Sequence, residues 1–381
     1  MLDQTTASDP AEMVPPGLPR RRWTINGDFL GLPAEGVARY AREVTLAIDR
    51  LVGDGDPLAR GLEIDIVAPA PGRPPLELRS LPLRILPEYD RPRLPQLWVQ
   101  GQLPRQVPGG LVSFCNLAPV SVRRHIVCIH DMQTRLAPES YGRLFRLAHR
   151  VVLPLLGRRA ATITTVSEHS RDQIVALGVA PRDKVVVTYN GSDHALAWDA
   201  GRGGLAAATR PYVLCLGRAQ RHKNLDLLLA LAPLLAAHGI DLWMMGAVAP
   251  ERVAAGAEAG NLRLLGRVSD DDFRQALDGA LCFAFPSRTE GFGLPAVEAM
   301  ASGCPVVAST APCLPEVCGD AALFADPDQP AAWLDAILSI QADPLRRARL
   351  VDAGFIRAGG FRWLEIGRQY LGLMARTDTT G

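Results

Sequence analysis

Residues 281–298 read LCFAFPSRTEGFGLPAVE, and this stretch decides how the second half of the chain folds. The apolar run LCFAFPS predicts a buried strand, and a glycine-bearing turn separates it from a segment with helical spacing. Pro295 suits the first turn of a helix, where its missing N–H is not needed. A strand, a tight loop and a helix in this order are typical of an α/β unit built on a parallel sheet.

The turn within EGFGLPAVE, residues 290–298, predicts an anion site. Gly291 and Gly293 let the backbone approach a ligand closely, and a helix N-terminus presents free amides and the positive end of its dipole. A carboxylate facing the same anion would be repelled, so Glu290 and Glu298 are expected to face neutral hydroxyls. A nucleoside diphosphate sugar, charged in the middle and hydroxylated at its ends, fits this pattern. A helix with an acidic first turn and one solvated glutamate fits the spacing equally well.

A second loop, LGRAQRHKN at residues 216–224, also favours anions. Arg218 and Lys223 have side chains long enough to reach a phosphate, the arginine as a planar fork and the lysine as a point charge. The chain has only two lysines, Lys184 and Lys223, which makes a lysine in this loop notable. An exposed basic loop is the alternative interpretation.

Short apolar runs alternate with helical patterns along most of the 381 residues. This alternation predicts two doubly wound α/β domains in tandem, with ligands bound beyond the carboxyl ends of the strands. Strands are predicted at 22–26, 62–69, 110–115, 124–130, 161–167 and 184–190, and then at 212–217, 240–246, 261–266, 281–287, 304–309 and 321–325. Helices are predicted at 36–52, 139–159, 167–178, 222–237 and 361–375, with Ser167 as an N-cap. The turn-rich stretch 190–211 marks the expected boundary, so we predict a disordered lead-in at 1–20, Rossmann-like domains at 21–195 and 196–360, and a C-terminal helix and tail at 361–381 that packs back on the first domain.

Composition excludes several classes of protein. A net charge of +1 is too small for a typical nucleic-acid-binding protein. The seven cysteines include no CxxC pair and are expected to be buried free thiols. No apolar run reaches the roughly 18 residues of a membrane span, and the polar start lacks the features of a signal peptide. We therefore expect a cytoplasmic protein.

Taken together, these motifs resemble the retaining glycosyltransferases of family 4, the glycosyl transferases group 1, which have the GT-B fold. The family's pair of glutamates separated by seven residues matches Glu290 and Glu298, and its G-R-x-x-x-x-K-N segment matches residues 217–224. In the first half, the segments INGDFLGLPAEGVARYARE, IHD, TVSEHSR and YNGSD are similar to further family landmarks. The resemblance extends from about residue 22 to the last helix.

The resemblance implies a role for each matching residue. Arg218 and Lys223 would hold the diphosphate and stabilise its developing charge, while Glu298 would bind the ribose hydroxyls. Glu290 would bind hydroxyls of the donor sugar, and His130 would contact that sugar near the reacting carbon. Donor contacts through backbone groups are implied for Gly36, Phe292, Gly293, Leu294 and, more weakly, Val268. Asn190 and Gly191 are expected to shape a turn, and the domains at 21–195 and 196–360 would face the acceptor and the nucleotide sugar respectively.

The expected mechanism needs no metal and no cofactor. SDDDF, residues 269–273, looks like a metal-binding DxD motif, but we interpret it as a helix start with Ser269 as N-cap and acids in the first turn. Basic side chains and helix-terminus amides can stabilise a leaving diphosphate without a metal. The sequence offers no convincing nucleophile, so retention is expected to follow a same-face displacement, as the family resemblance implies.

Several alternatives stay open at this point. GDP-mannose is the favoured donor, because the first half looks like bacterial mannosyltransferases, and UDP-glucose is the other choice. The acceptor is expected to be a saccharide, plausible as a lipid-linked one. The basic amphipathic stretch 139–159 suits peripheral contact with the inner face of a membrane, although a core helix with solvated arginines fits equally. A sugar-nucleotide-binding protein without transferase activity, a GT-B-fold epimerase or phosphorylase, and a solute-binding protein are the other functions considered.

Overall fold

Two parallel sheets organise the chain. A computed structural model describes residues 21–33, 35–72, 75–88, 95–248, 252–253 and 260–380. Both sheets consist of short strands whose side chains are mostly buried on both faces, as expected for parallel sheets covered by helices. The α/β, doubly wound architecture predicted from the alternating pattern is confirmed.

The first sheet has seven strands in the order β3-β2-β1-β4-β5-β6-β7. The strands are β1 (Arg21–Asn26), β2 (Leu62–Ala68), β3 (Leu83–Ile85), β4 (Gly110–Ser113), β5 (His125–Cys128), β6 (Thr162–Thr165) and β7 (Val185–Val187). Strand β1 pairs in parallel with β2 on one side and β4 on the other, with Ile25 opposite both Ile66 and Val112. The order reverses between β1 and β4, so the loops after these two strands diverge at the carboxyl edge of the sheet.

The second sheet has six strands in the order β10-β9-β8-β11-β12-β13. They are β8 (Tyr212–Leu216), β9 (Asp241–Met245), β10 (Leu262–Gly266), β11 (Cys282–Phe285), β12 (Val306–Ser309) and β13 (Ala322–Ala325). Strands β8 and β11 are direct neighbours, with Cys282 opposite Val213 and Ala284 opposite Cys215. Here too the order reverses, between β8 and β11.

Eleven α-helices of four or more residues lie in the described ranges, besides shorter α-helical turns and several 3-10 and π-helical turns. They are α1 (Gly36–Gly53), α2 (Gln133–Leu136), α3 (Arg143–Arg159), α4 (Glu168–Ala176), α5 (Leu225–Ala236), α6 (Asp270–Gly279), α7 (Leu294–Ala301), α8 (Cys313–Cys318), α9 (Pro330–Ala342), α10 (Pro344–Gly359) and α11 (Trp363–Thr380). Ser167 accepts a hydrogen bond from Ser170 N, so its predicted role as an N-cap is confirmed. Pro295 lies in the first turn of α7, also as predicted.

The predicted elements differ from the structure in several bounds, of which three examples follow. Strand β3 (Leu83–Ile85) was not predicted, because three half-exposed or exposed residues carry no periodic signal. The helix predicted from residue 139 begins at Arg143, after a 3-10 turn at Pro138–Ser140. The helix predicted from residue 222 begins at Leu225, because Arg221–Lys223 form a separate 3-10 turn. The lead-in at 1–20 lies outside the described residues.

Contacts divide the chain into two compact units. Unit 1 comprises Met1–Cys128, Val152–Thr164 and Leu364–Gly381, and unit 2 comprises Ile129–Val151 and Thr165–Trp363. The chain thus passes between the units several times, while the single boundary at 195/196 stays a prediction. Importantly, unit 2 includes the IHD segment as well as both loops that favour anions.

Within unit 1, helix α11 packs against β1, β6 and α1. The Tyr370 hydroxyl lies 2.9 Å from that of Tyr40 and 2.7 Å from Thr164 Oγ1, and all three side chains are buried. Near the end of the helix, Asp378 accepts a hydrogen bond of 2.9 Å from the Trp23 indole. The last helix is therefore part of the core of unit 1.

Within unit 2, helices α5 and α9 cover one face of the second sheet. Their buried side chains, including Leu228, Leu231 and Trp333, form one apolar cluster with Met244 and Val307 from the strands. All side chains of β11 and β12 are fully or almost fully buried. The strand ends are thus held rigidly, and the loops that follow them are presented from a fixed edge.

Candidate active site

The loops after β8 and β11 meet at the point where the strand order of the second sheet reverses. Such a point leaves a crevice beyond the carboxyl ends of the strands, where ligands bind in open α/β sheets. A backbone bond of 2.7 Å from Arg288 N to His222 O joins the two loops directly. The two segments that the sequence predicted as anion sites therefore form one site.

The loop after β8 is shaped by two residues that tolerate little change. A Cβ on Gly217 would lie 2.5 Å from Met244 Sδ, so only glycine fits there. Asn224 has a φ of 59°, and it is the only described residue other than glycine with a positive φ. Its buried side-chain amide donates to Pro286 O at 3.2 Å and to Pro327 O at 2.7 Å. Asn224 thus ties the end of this loop to the segments that follow β11 and β13.

Lys223 and Glu290 form an ion pair across the two loops. Lys223 Nζ donates to Glu290 Oε1 at 2.6 Å, and the glutamate side chain is only 10% exposed. Arg218, the other predicted phosphate ligand, follows β8 on the same loop and is half-buried. The site therefore brings one cation and one acid into direct contact at the place where the strands diverge.

The EGFG turn leads directly into helix α7. Gly293 is the N-cap with a φ of 95°, and an added Cβ would lie 2.6 Å from Leu314 Cδ2. Phe292 and Leu294 flank it, and both side chains are buried, so the groups that these positions offer to a ligand are their backbone amides. The positive end of the α7 dipole lies at the same turn as these amides.

Glu298 lies in the second turn of α7 and is also buried, with 5% of the residue exposed. His194 Nε2 lies 2.8 Å from Glu298 Oε1, and the Trp363 indole N–H donates to His194 Nδ1 at 2.9 Å. The sequence analysis did not single out His194 or Trp363. The available signal was the position of His194 directly after the YNGSD landmark.

The IHD segment lies against the EGFG turn. A Cβ on Gly291 would lie 2.9 Å from the His130 carbonyl oxygen and 3.3 Å from Asp131 Cβ. His130 is buried, and Gln133 Nε2 donates to Thr289 O at 3.3 Å. On its other side, the Gly291 carbonyl accepts from the Ser167 hydroxyl at 2.6 Å. The structure therefore brings the His130 backbone to the EGFG turn that follows Glu290, while the predicted contact of His130 with a donor sugar stays a prediction.

Two aromatic residues border the Lys223 loop. The His222 ring is stacked near that of Tyr141, with centroids 6.2 Å apart, and its Nδ1 lies 2.9 Å from Ser140 Oγ. The Tyr141 hydroxyl donates to Gln133 Oε1 at 2.8 Å. These contacts hold residues 133–141 against the loop that carries Lys223.

The site concentrates negative charge around one lysine. Burial raises the pKa of the Asp131 carboxyl, and the neighbouring Glu290 adds to the increase, whereas the Gln133 amide and Lys223 act in the opposite direction. Burial also lowers the pKa of His222 to about 4, with Lys223 contributing, so this imidazole is neutral near pH 7. Asp131, which was not predicted as a site residue, belongs to the electrostatic environment of Lys223 and Glu290.

Two further residues that were predicted to contact the sugar-nucleotide donor lie elsewhere in the structure. Val268 is half-buried and follows β10, two strands from β8 at the same edge of the sheet. Gly36 opens α1 in unit 1 with a φ of 50°, a conformation that favours glycine. Their predicted contacts with a donor stay predictions.

The acidic segment SDDDF is a helix start, as predicted. Ser269 Oγ accepts from Asp272 N at 3.1 Å, and Asp272 Oδ2 accepts from Ser269 N at 3.0 Å, which is a capping box. Hydrogen bonding by Gly204 N and by Ser269 lowers the pKa of Asp272. Within the described ranges, no three His, Cys, Asp or Glu side chains form a group that could hold a metal ion.

Comparisons with known proteins agree with this geometry. Residues 210–343 match the family described as glycosyl transferases group 1. The chain is 31% identical over 272 residues to O-antigen chain mannosyltransferase B of Escherichia coli, and the match covers 64% of this chain and 68% of that protein. Among solved structures, sucrose-phosphate synthase from Thermosynechococcus elongatus is similar with a TM-score of 0.68 at 18% identity, covering 95% of this chain and 100% of that one. Anabaena Alr3699/HepE in complex with UDP and glucose gives the same TM-score at 18% identity, covering 93% and 99%.

Two doubly wound sheets with a phosphate-suited loop and helix at a switch point define a GT-B glycosyltransferase. The chain belongs to the glycosyl transferases group 1 family and has the GT-B fold, as the motif resemblance predicted.

Proposed function

We propose that this glycosyltransferase moves a mannosyl group from GDP-mannose to a saccharide acceptor, with retention of configuration, in the synthesis of a surface glycan. The observation that carries the proposal is the Lys223–Glu290 pair, 2.6 Å apart, at the switch point and next to the N-terminus of α7. The identity to an O-antigen mannosyltransferase supports mannose as the sugar and a surface glycan as the product.

The leaving diphosphate is bound by one loop and one helix end in this proposal. Arg218 and Lys223 approach from the loop after β8, and the amides of residues 292–294 approach from the start of α7. Positive groups arranged in advance around a leaving group supply a large part of such catalysis. We therefore propose that the reaction needs no metal ion and no cofactor, which activity in the presence of EDTA would test.

Glu290 exchanges its partner when the donor binds. The phosphates of the donor form an ion pair with the ammonium group of Lys223. The carboxylate of Glu290 then accepts hydrogen bonds from the hydroxyls of the sugar. Both side chains are already held at the right place by the pair, so little side-chain entropy is lost on binding. Glu298, about one turn beyond the start of α7, accepts hydrogen bonds from the ribose hydroxyls. The base lies toward Val268.

Retention follows from a same-face displacement. Glu290 is engaged by Lys223, which favours hydroxyl binding over attack on the anomeric carbon. We propose that the departing phosphate accepts the proton of the acceptor hydroxyl as the new glycosidic bond forms on the face that the phosphate leaves. His130, at the same turn, contacts the donor sugar close to that carbon.

We further propose that the acceptor is lipid-linked and that α3 contacts the membrane. Helix α3 exposes Leu144, Leu147 and Val151 by 84%, 58% and 53%. Five arginines accompany them: Arg143, Arg146, Arg150, Arg158 and Arg159. An exposed apolar stripe with basic neighbours suits the surface of an anionic bilayer. No helix in the described part of the chain is long and apolar enough to cross a membrane.

The purified enzyme, radiolabelled GDP-mannose and a bacterial lipid extract test the main proposal. We expect mannose to appear in the lipid fraction as the α-anomer, and a larger thermal shift with GDP than with UDP or ADP. Transfer from UDP-glucose instead would replace the donor but keep the class of reaction. Binding without transfer to any acceptor would favour a sugar-nucleotide-binding protein, and isomerisation of the sugar nucleotide without an acceptor would favour an epimerase.

A further inference from the structure

A buried chain of three polar side chains ends on Glu298. The Trp363 indole N–H donates to His194 Nδ1 at 2.9 Å, and His194 Nε2 lies 2.8 Å from Glu298 Oε1. The His194 and Glu298 side chains are 5% and 7% exposed. The three residues come from a 3-10 turn, from α7 and from the first residue of α11. They are separated by 104 and 169 positions along the chain, so the arrangement is made by the fold of unit 2.

The hydrogen-bond chemistry of this chain assigns the His194 tautomer. An indole N–H is only a donor, so His194 Nδ1 must accept. The neutral ring then carries its hydrogen on Nε2 and donates it to Glu298. Both hydrogen bonds therefore run in one direction: the indole donates to the imidazole, and the imidazole donates to the carboxylate.

The YNGSD segment holds Trp363 at its place. Asp193 Oδ1 accepts the backbone N–H of Trp363 at 2.9 Å, which satisfies one free donor at the start of α11. A Cβ on Gly191 would lie 2.5 Å from Trp363 Cδ2, so the indole packs directly on this glycine. Gly191 and Asp193 thus orient the ring whose N–H sets the tautomer of His194.

We infer that His194 and Trp363 are positioning residues that orient the Glu298 carboxylate for the ribose hydroxyls of the nucleotide. This inference rests on the proposed function, which assigns the ribose to Glu298. A buried carboxylate that lost this hydrogen bond would be held less firmly in one orientation. His194 holds Oε1 and thereby restricts rotation of the carboxylate, so the orientation of this acceptor is limited before the nucleotide binds.

Ribose recognition can be measured separately from the rest of nucleotide binding. GDP and UDP are compared with their 2′,3′-dideoxy forms, and the ratio of the two dissociation constants reports only the ribose hydroxyls. We expect the wild-type protein to bind the ribose forms roughly tenfold or more tightly, as hydrogen bonds to a charged group predict. Using both bases makes the ratio independent of which nucleotide is the natural donor.

The variants separate the inference from the proposed function. Glu298→Ala should bring the ratio near one, and His194→Ala should do the same although it removes no ribose contact. A ratio unchanged by Glu298→Ala would refute the ribose assignment itself. A normal drop for Glu298→Ala, combined with an unchanged ratio for His194→Ala, would refute the positioning role alone.

Two conservative comparisons cover the case in which His194→Ala fails to fold. His194→Gln places an amide N–H near the position of Nε2 and should retain most of the ribose preference, whereas His194→Asn places it near Nδ1 and should lose it. Trp363→Phe keeps an aromatic ring but removes the indole N–H, and it should lower the ratio with GDP and UDP alike. Equal ratios for the Gln and Asn variants would contradict the positioning role of His194. A Trp363→Phe ratio equal to that of the wild type would contradict the positioning role of Trp363.

Discussion

Lys223 Nζ and Glu290 Oε1 lie 2.6 Å apart, although 67 residues separate them along the chain. Their loops follow β8 and β11, which are neighbours in the second sheet only because the chain first builds β9 and β10 on the other side of β8. The ion pair is therefore a product of the doubly wound topology. In the proposed reaction, Lys223 binds phosphate and Glu290 binds the sugar, so the ion pair links the residues that bind the two parts of the donor.

Replacing Lys223 tests the proposed charge stabilisation. Lys223→Ala should lower kcat/KM about 10²- to 10³-fold, because the leaving diphosphate loses a prearranged positive group. Lys184→Ala is the matched control, since it removes the other lysine of the chain outside the site, and steady-state kinetics should show nearly wild-type activity. Similar losses for both variants would argue against a specific role for Lys223.

Replacing Glu290 tests the absence of a carboxylate nucleophile. Glu290→Ala should abolish most turnover, because the sugar loses its hydroxyl acceptor and Lys223 loses its partner. Added azide should not restore the reaction. If azide restored it and gave an inverted glycosyl azide, Glu290 would be a nucleophile and the same-face displacement would be wrong.

Asn224 should matter for stability through both its backbone and its side chain. Asn224→Ala should lower the free energy of unfolding by about 2–4 kcal/mol, because alanine is strained at a φ of 59° and the carbonyls of Pro286 and Pro327, the first of them buried, lose a donor. Asn224→Gly keeps the backbone conformation and should lose less. Urea unfolding would measure both values, and an alanine variant as stable as wild type would contradict this account.

The backbones of the EGFG turn and the IHD segment approach closely at Gly291, because this residue has no side chain. Gly291→Ala adds a methyl group 2.9 Å from the His130 carbonyl oxygen, so the two segments must move apart and kcat/KM should fall at least tenfold. Gly359→Ala is the control, because its added Cβ would meet no atom within 4 Å. Equal activity of the two variants would show that the spacing between the segments is not important.

Asp28 predicts a pH dependence of stability. Burial raises the pKa of its carboxyl to about 7, despite hydrogen bonds with Asn26 and Cys115 that act in the opposite direction. The folded protein therefore binds this proton more tightly than the unfolded chain, and the contribution of Asp28 to stability is lost as the pH rises from about 4 to about 7. Asp28→Asn does not titrate, so its free energy of unfolding should exceed that of wild type increasingly over this range, by at most about 4 kcal/mol. Thermal unfolding at pH 4.5 and pH 8 would measure the difference, and a constant difference between the two variants would contradict the shift.

Local residue order was enough for most elements of both sheets. Buried parallel strands such as Tyr212–Leu216 are short continuous apolar runs, and glycine and proline mark their ends. The same local signals identified the N-cap at Ser269 and the helix start at Pro295. Strand β3 and the 3-10 turn before α5 were missed, because neither carries a periodic pattern.

The motif residues of the site could also be identified from the sequence, because Arg218 and Lys223 occur at a fixed spacing in one loop, and Glu290 and Glu298 at a fixed spacing across the next loop and helix α7. Their partners were not. His194 reaches Glu298, Trp363 reaches His194, and Asp131 comes near the Lys223–Glu290 pair only after segments distant in sequence become neighbours. Spacing encodes what neighbouring residues can do together, whereas contacts over a hundred residues depend on strand order and packing, and these arise from the cooperative burial of the whole core.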